Sequence, residues 1–126
     1  MALPLVLIAL GGAAGATTRY LVDIWVSERA GGAFPWGTFV INVSGSLILG
    51  LLFALAIERG VLPASVRGPV LIGFISAYTT FSTLMLDSWR LIESGAVALG
   101  LVNLVGSSVI GMVAVVVGLM MGRAIA

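Results

Sequence analysis

Residues Gly73-Phe-Ile-Ser-Ala-Tyr-Thr-Thr-Phe-Ser-Thr-Leu-Met-Leu86 lie inside a hydrophobic span, yet they carry five Ser and Thr residues between positions 76 and 83. A bilayer core offers no water to backbone groups. Irregular, polar chain at membrane depth is tolerated only where protein buries it or a water-filled cavity meets it. The stretch therefore reads in one of two ways. It is a continuous helix whose hydroxyls bond back to their own carbonyls, or it is a helix broken at mid-membrane to handle an ion.

The surrounding chain makes the membrane reading firm. Of 126 residues, 60% are hydrophobic and 9% are charged, against about 25% charged in an ordinary soluble domain. The charges fall at or beyond the ends of four apolar runs, at about residues 3–22, 36–57, 67–92 and 96–121. Each run reaches the roughly 20 residues needed to cross a hydrocarbon core. The expected architecture is one all-α integral membrane unit over residues 1–126, with both ends on one side. No Lys or Arg precedes the first run, so it lacks the positive region of a cleavable signal peptide. The segment from Asp23 to Pro35 reads as a loop, and Pro69 as a residue of a first helical turn. Cysteine and histidine are absent, which excludes disulfides, thiolate chemistry and histidine relays. No basic patch for nucleic acid is present.

Orientation in a membrane follows Lys/Arg asymmetry. Here Arg59, Arg67 and Arg123 fall on the side of the termini, and Arg19, Arg29 and Arg90 on the other. A four-helix chain without charge bias can insert both ways and pair with an inverted copy of itself, giving the inverted-repeat logic of transporters without duplication.

Each span carries a narrow small or polar stripe. Gly11, Gly15 and Arg19 recur at i+4, as do Thr38, Asn42 and Ser46, and again Asn103, Ser107 and Gly111. Gly118 and Gly122 add a packing spacing. Arg19 reads as an interfacial anchor or as an inward-turned attractor of anions. Asn42 reads as helix-to-helix glue or as a pore donor. Asp23, Glu28, Glu58, Asp87 and Glu93 are all peripheral, whereas a cation path or proton-coupled carrier needs an intramembrane acid. An anion path needs donors: hydroxyls, the Asn42 amide, an arginine at the mouth, and a half-helix N-terminus near Thr79. Phe81 reads as a lipid-facing aromatic or as a ring whose positive edge meets a small anion.

Taken together, Gly11-Gly-x-x-Gly-Ala-x-x-Arg-Tyr20, Gly37-Thr-x-x-x-Asn42 and Thr79-Thr-Phe-Ser-Thr83 resemble the Fluc (CrcB) family of fluoride channels, in order and across all four spans. The resemblance implies a passive fluoride channel subunit, not an enzyme. It also implies an antiparallel, dual-topology dimer in the inner (plasma) membrane, with a structural sodium ion on the carbonyls of Ser76 and Thr79. Carried onto this chain, Asn42, Phe81, Thr80, Ser82, Thr83 and Ser107 line the pore and Arg19 lies at a vestibule. Leu84 and Asn103 fall at pore positions where the family usually has Phe and Tyr, which raises a paralogue as a possible partner in a mixed dimer. A small multidrug-resistance transporter is the rival of similar size, but that family needs a membrane-embedded Glu in its first span and none exists here.

Overall fold

A computed structural model describes residues 2–125 of the chain. Four helices are long and apolar enough to cross a membrane: Ala2–Ala30, Trp36–Glu58, Ala64–Glu93 and Val97–Ile125. They are called the first to fourth spans below. Among the described residues there is no strand.

The first span continues beyond its apolar run, so the expected loop from Asp23 is helical as far as Ala30. Charge alone does not stop a helix, and Glu and Arg are good helix formers. Arg29 donates from its guanidinium to the Trp25 carbonyl at 3.0 Å and lies over the Trp25 ring. The helix ends where the backbone turns left-handed at Gly31 (φ 63) and Gly32 (φ 75), a conformation that glycine adopts without steric cost. Pro35 then precedes the second span, where Phe34, Trp36 and Phe39 form an aromatic cluster with ring centroids 4.6 to 6.0 Å apart.

The third span starts at Ala64 after Pro63, which places Pro69 later than the expected first turn. A proline there lacks an N–H and crowds the carbonyl of the preceding turn. The helix responds by widening to a π-type path over Gly68–Ile75. Similar wide turns occur at Ala54–Glu58 and Val102–Gly106.

Glycines set how closely the spans approach. A side chain at Gly11 would overlap the Pro69 carbonyl, and one at Gly15 the Phe74 carbonyl, so the first span lies directly on the backbone of the third. Gly50 and Gly118 play the same part between the second and fourth spans, against the carbonyls of Val115 and Leu47. Close backbone approach through small residues is what drives helix association in lipid, where there is no hydrophobic gain between helices. At the terminal side, Arg123 forks onto both carboxylate oxygens of Glu58 at 2.7 and 2.8 Å, and Arg59 donates to the Arg123 carbonyl. The buried apolar core is small, comprising Ile41, Ala54, Ala56, Ile75, Tyr78, Leu84 and Leu91. Most large apolar side chains point outward, as a lipid solvent allows.

Candidate functional site

The third span breaks near its middle. Its first half ends at Tyr78, Thr79 (φ −82, ψ 157) and Thr80 (φ −149, ψ 114) are extended, and a second half-helix runs over Phe81–Glu93. Two extended residues leave several backbone groups without helical partners, and these must be satisfied at membrane depth. Asn42 of the second span does this for Thr80. Its Nδ2 donates to the Thr80 carbonyl at 3.0 Å, and its Oδ1 accepts from the Thr80 N–H at 2.8 Å. One carboxamide thus saturates both backbone groups of the central residue.

The start of the second half-helix is capped from within. Thr80 Oγ1 accepts from the Thr83 N–H at 3.3 Å and donates to Thr83 Oγ1 at 3.0 Å, the usual work of a Thr N-cap. Thr79 bonds back instead, donating from its N–H and its hydroxyl to the Ile75 carbonyl. The helix N-terminus so formed carries positive dipole charge at mid-span, which favours an anion.

Two hollows meet at Thr80. One, of about 220 Å³, is lined by Asn42, Ser46, Thr79, Phe81 and Leu84 among others, with no carboxylate. The second, of about 210 Å³, is lined by Arg19, Asp23, Thr38, Thr80 and Thr83 among others. Arg19 is half-buried there and forms no ion pair among the described residues. Phe81 is 75% exposed, although it starts a helix inside the span. Ser76 and Ser82 are exposed beside it, so a polar, broken face is presented outward at membrane depth.

The residues named from sequence fall into two groups. Asn42, Thr80, Phe81, Thr83, Leu84 and Arg19 gather around the break and its two hollows, with Ser82 on the outward face. Asn103 and Ser107 do not join them. They are 0% and 5% exposed and bond to each other and to Ser88 between the third and fourth spans. Ser88 was not singled out by sequence reasoning, nor was the bond from Thr38 Oγ1 to Asp87 Oδ2 at 3.0 Å. A lone Ser in a helix ordinarily bonds to its own carbonyls, and nothing in Leu86-Asp-Ser-Trp-Arg90 marks it out. Tyr78 and Ser44 pair through their hydroxyls at 3.0 Å, behind the break.

Fold and site together define a small multi-pass membrane protein whose third helix is broken around a donor-rich centre. Sequence comparison supplies the lineage. The family model described as "CrcB-like protein, Camphor Resistance (CrcB)" matches residues 6–119. The chain is 41% identical over 121 residues to a fluoride-specific ion channel FluC of Hahella chejuensis, covering 96% of this chain and 95% of that one. It is 43% identical to a FluC of Magnetococcus marinus, covering 94% and 96%. A fluoride-specific ion channel FluC 1 of Symbiobacterium thermophilum is 46% identical, covering 93% and 95%. The chain belongs to the CrcB-like family.

Proposed function

We propose that this chain is a subunit of a passive, fluoride-selective channel that lets the ion leave the cytoplasm down its gradient and so relieves fluoride toxicity. The observation that carries the reading is the break at Thr79 and Thr80, clamped by Asn42 and opening a helix N-terminus onto a hollow without a carboxylate. Hydroxyl, amide and N–H donors at short range replace the shell of a small, strongly hydrated anion better than they fit a larger one. The curated relatives carry the name of fluoride-specific ion channels. No catalytic step is part of this reading, and a multidrug-type carrier lacks its acid.

Assembly as an antiparallel, dual-topology pair in the plasma membrane belongs to the same reading, and the balanced arginines and the exposed break support it. Lipid cannot satisfy the broken backbone and the hydroxyl face at Ser76 and Ser82, and a second copy would cover it with the same residues. The sodium site fits these atoms. The Thr79 carbonyl has no hydrogen bond among the described residues, and the N–H that ordinarily closes on the Ser76 carbonyl, that of Thr80, is taken by Asn42. There is no metal-binding cluster of His, Cys, Asp or Glu among the described residues, so a cation here would rest on the Ser76 and Thr79 carbonyls of both copies. Its charge would bind the two breaks together.

Purified protein in liposomes loaded with fluoride tests the function. Efflux should be fast for fluoride and slow for chloride, and a pH gradient alone should move little fluoride. Comparable fluxes of the two halides, or stoichiometric proton coupling, would overturn the reading.

A mixed pair is the second reading, and Leu84 favours it. This residue lines the hollow beside Phe81, and an aliphatic chain has no polarised ring edge to offer an ion. A paralogue with an aromatic residue there would complete one pore. If the homodimer is impaired in this way, Leu84→Phe purified alone should release fluoride several times faster than wild type. Robust wild-type efflux unchanged by Leu84→Phe would remove the reason to invoke a partner.

A further inference from the structure

The second half-helix, Phe81–Glu93, has few apolar anchors, since Leu84 and Leu91 are its only buried hydrophobic residues among those described. Between them on the same face sits Ser88, 2% exposed. Its Oγ donates to the Leu84 carbonyl at 2.7 Å and accepts from Asn103 Nδ2 at 3.0 Å. Asn103 Oδ1 in turn accepts from Ser107 Oγ at 3.3 Å. The result is a directional ladder from the fourth span into the third. The spans touch at backbone distance beside it, because a side chain at Gly100 would meet the Ser88 carbonyl at 2.8 Å.

The preceding residue faces a different neighbour. Asp87 accepts from Thr38 of the second span at 3.0 Å, and successive residues on a helix point about 100° apart. Asp87 and Ser88 therefore tie one short helix to two different spans, which fixes its rotation about its own axis. Phe81 and Thr83 ride on that helix one to two turns away.

We propose that Ser88 and Asn103 are positioning residues, which set the orientation of the half-helix carrying Phe81 and Thr83 and do not themselves touch the ion. This rests on the channel reading above but assigns Asn103 a different part from pore lining. Asn103 acts through Ser88, so cutting either end of their bond has the same consequence. The fourth span sends no polar group of this ladder into the hollow beside Phe81.

The test combines a flux measurement with one that needs no conduction. Ser88→Ala, Asn103→Leu and the double variant are reconstituted, checked for dimer by crosslinking, and compared for fluoride efflux and fluoride-over-chloride selectivity. Loss of an interhelical hydrogen bond in lipid should lower selectivity by roughly three- to tenfold in each single variant. The double variant should be no worse than either single one, since contacts that act as a unit are not additive. In parallel, the protein is labelled with 5-fluorotryptophan. The ¹⁹F resonance of Trp89, assigned with Trp89→Phe, reads the setting of the half-helix even if no ion passes. It should move alike in all three variants, and Ser88→Thr should restore both resonance and selectivity. Failure of the wild type to pass fluoride would strike the channel reading alone, because the Trp89 resonance still decides the positioning. An unmoved resonance in Ser88→Ala and Asn103→Leu would overturn the proposal. So would a selectivity loss in Asn103→Leu that adds to that of Ser88→Ala, which would place Asn103 at the ion. If Asn103→Leu does not assemble, Ser88→Ala and Ser88→Thr decide alone: a shift in the first and wild-type behaviour in the second support the proposal, and no shift in Ser88→Ala overturns it.

Discussion

Asn42→Ala should lower fluoride efflux by about a hundredfold while the four spans of the protomer stay packed. The carboxamide makes two hydrogen bonds to one residue, accepting from the Thr80 N–H and donating to the Thr80 carbonyl. Removing it leaves both backbone groups without partners inside the membrane. An orphaned buried polar group costs about 1–3 kcal/mol, and the two together bring the loss to roughly 3 kcal/mol or more, two factors of ten. The broken segment then has reason to relax toward regular helix, which would draw the N-terminus at Phe81 away from the hollow. Asn42→Asp separates geometry from chemistry. The carboxylate keeps the acceptor for the Thr80 N–H, loses the donor, and puts a negative charge at the hollow proposed as the ion's path, so its flux should also fall. The packing of the spans within the protomer relies on glycine contacts elsewhere, so the helical content of Asn42→Ala by circular dichroism should match wild type. Wild-type efflux from Asn42→Ala would show that the clamp is packing and that the pore lies elsewhere.

The clamp also shows where sequence reasoning reaches and where it stops. Spans are legible because bilayer thickness is a length requirement that any long apolar run reveals. The break was legible only in part: five Ser and Thr residues at membrane depth need an explanation of their own, but a continuous helix with back-bonded hydroxyls explains them as well, and the family resemblance had to choose. Helix ends were less so. Asp23 closes the apolar run of the first span, but only Gly31 and Gly32 stop the helix, since burial and helix formation respond to different properties of a residue. Asn42 and Thr80 are far apart in sequence, so the stripe of Thr38, Asn42 and Ser46 announced a polar face without naming what it faces. The stripe of Asn103 and Ser107 has the same spacing and a different destination, a buried ladder to Ser88. Spacing defines a face of a helix, and only the packing of its neighbours decides whether that face meets a pore or another span.

Phe81→Ile should lower fluoride flux by more than tenfold and leave the protomer as stable as wild type. Most aromatic residues in a helix are core, and truncating a buried Phe costs several kcal/mol. Phe81 is the opposite case, 75% exposed and with no aromatic partner among the described residues, so the protomer gains little from its ring. Exposure to lipid alone would make any apolar residue acceptable. Its position argues for more, because it is the first residue of the second half-helix and lines the hollow that Asn42 and Thr80 border. An edge-on ring presents a positive rim to a small anion, and isoleucine keeps the bulk without the rim. The two readings therefore separate cleanly on a pair of measurements made on the same preparation, thermal stability in detergent and fluoride efflux after reconstitution. Unchanged stability with lost flux assigns the ring to the ion's path. Lost stability with proportionate loss of flux would make Phe81 an interface residue between copies, and wild-type values of both would make it an ordinary lipid-facing side chain.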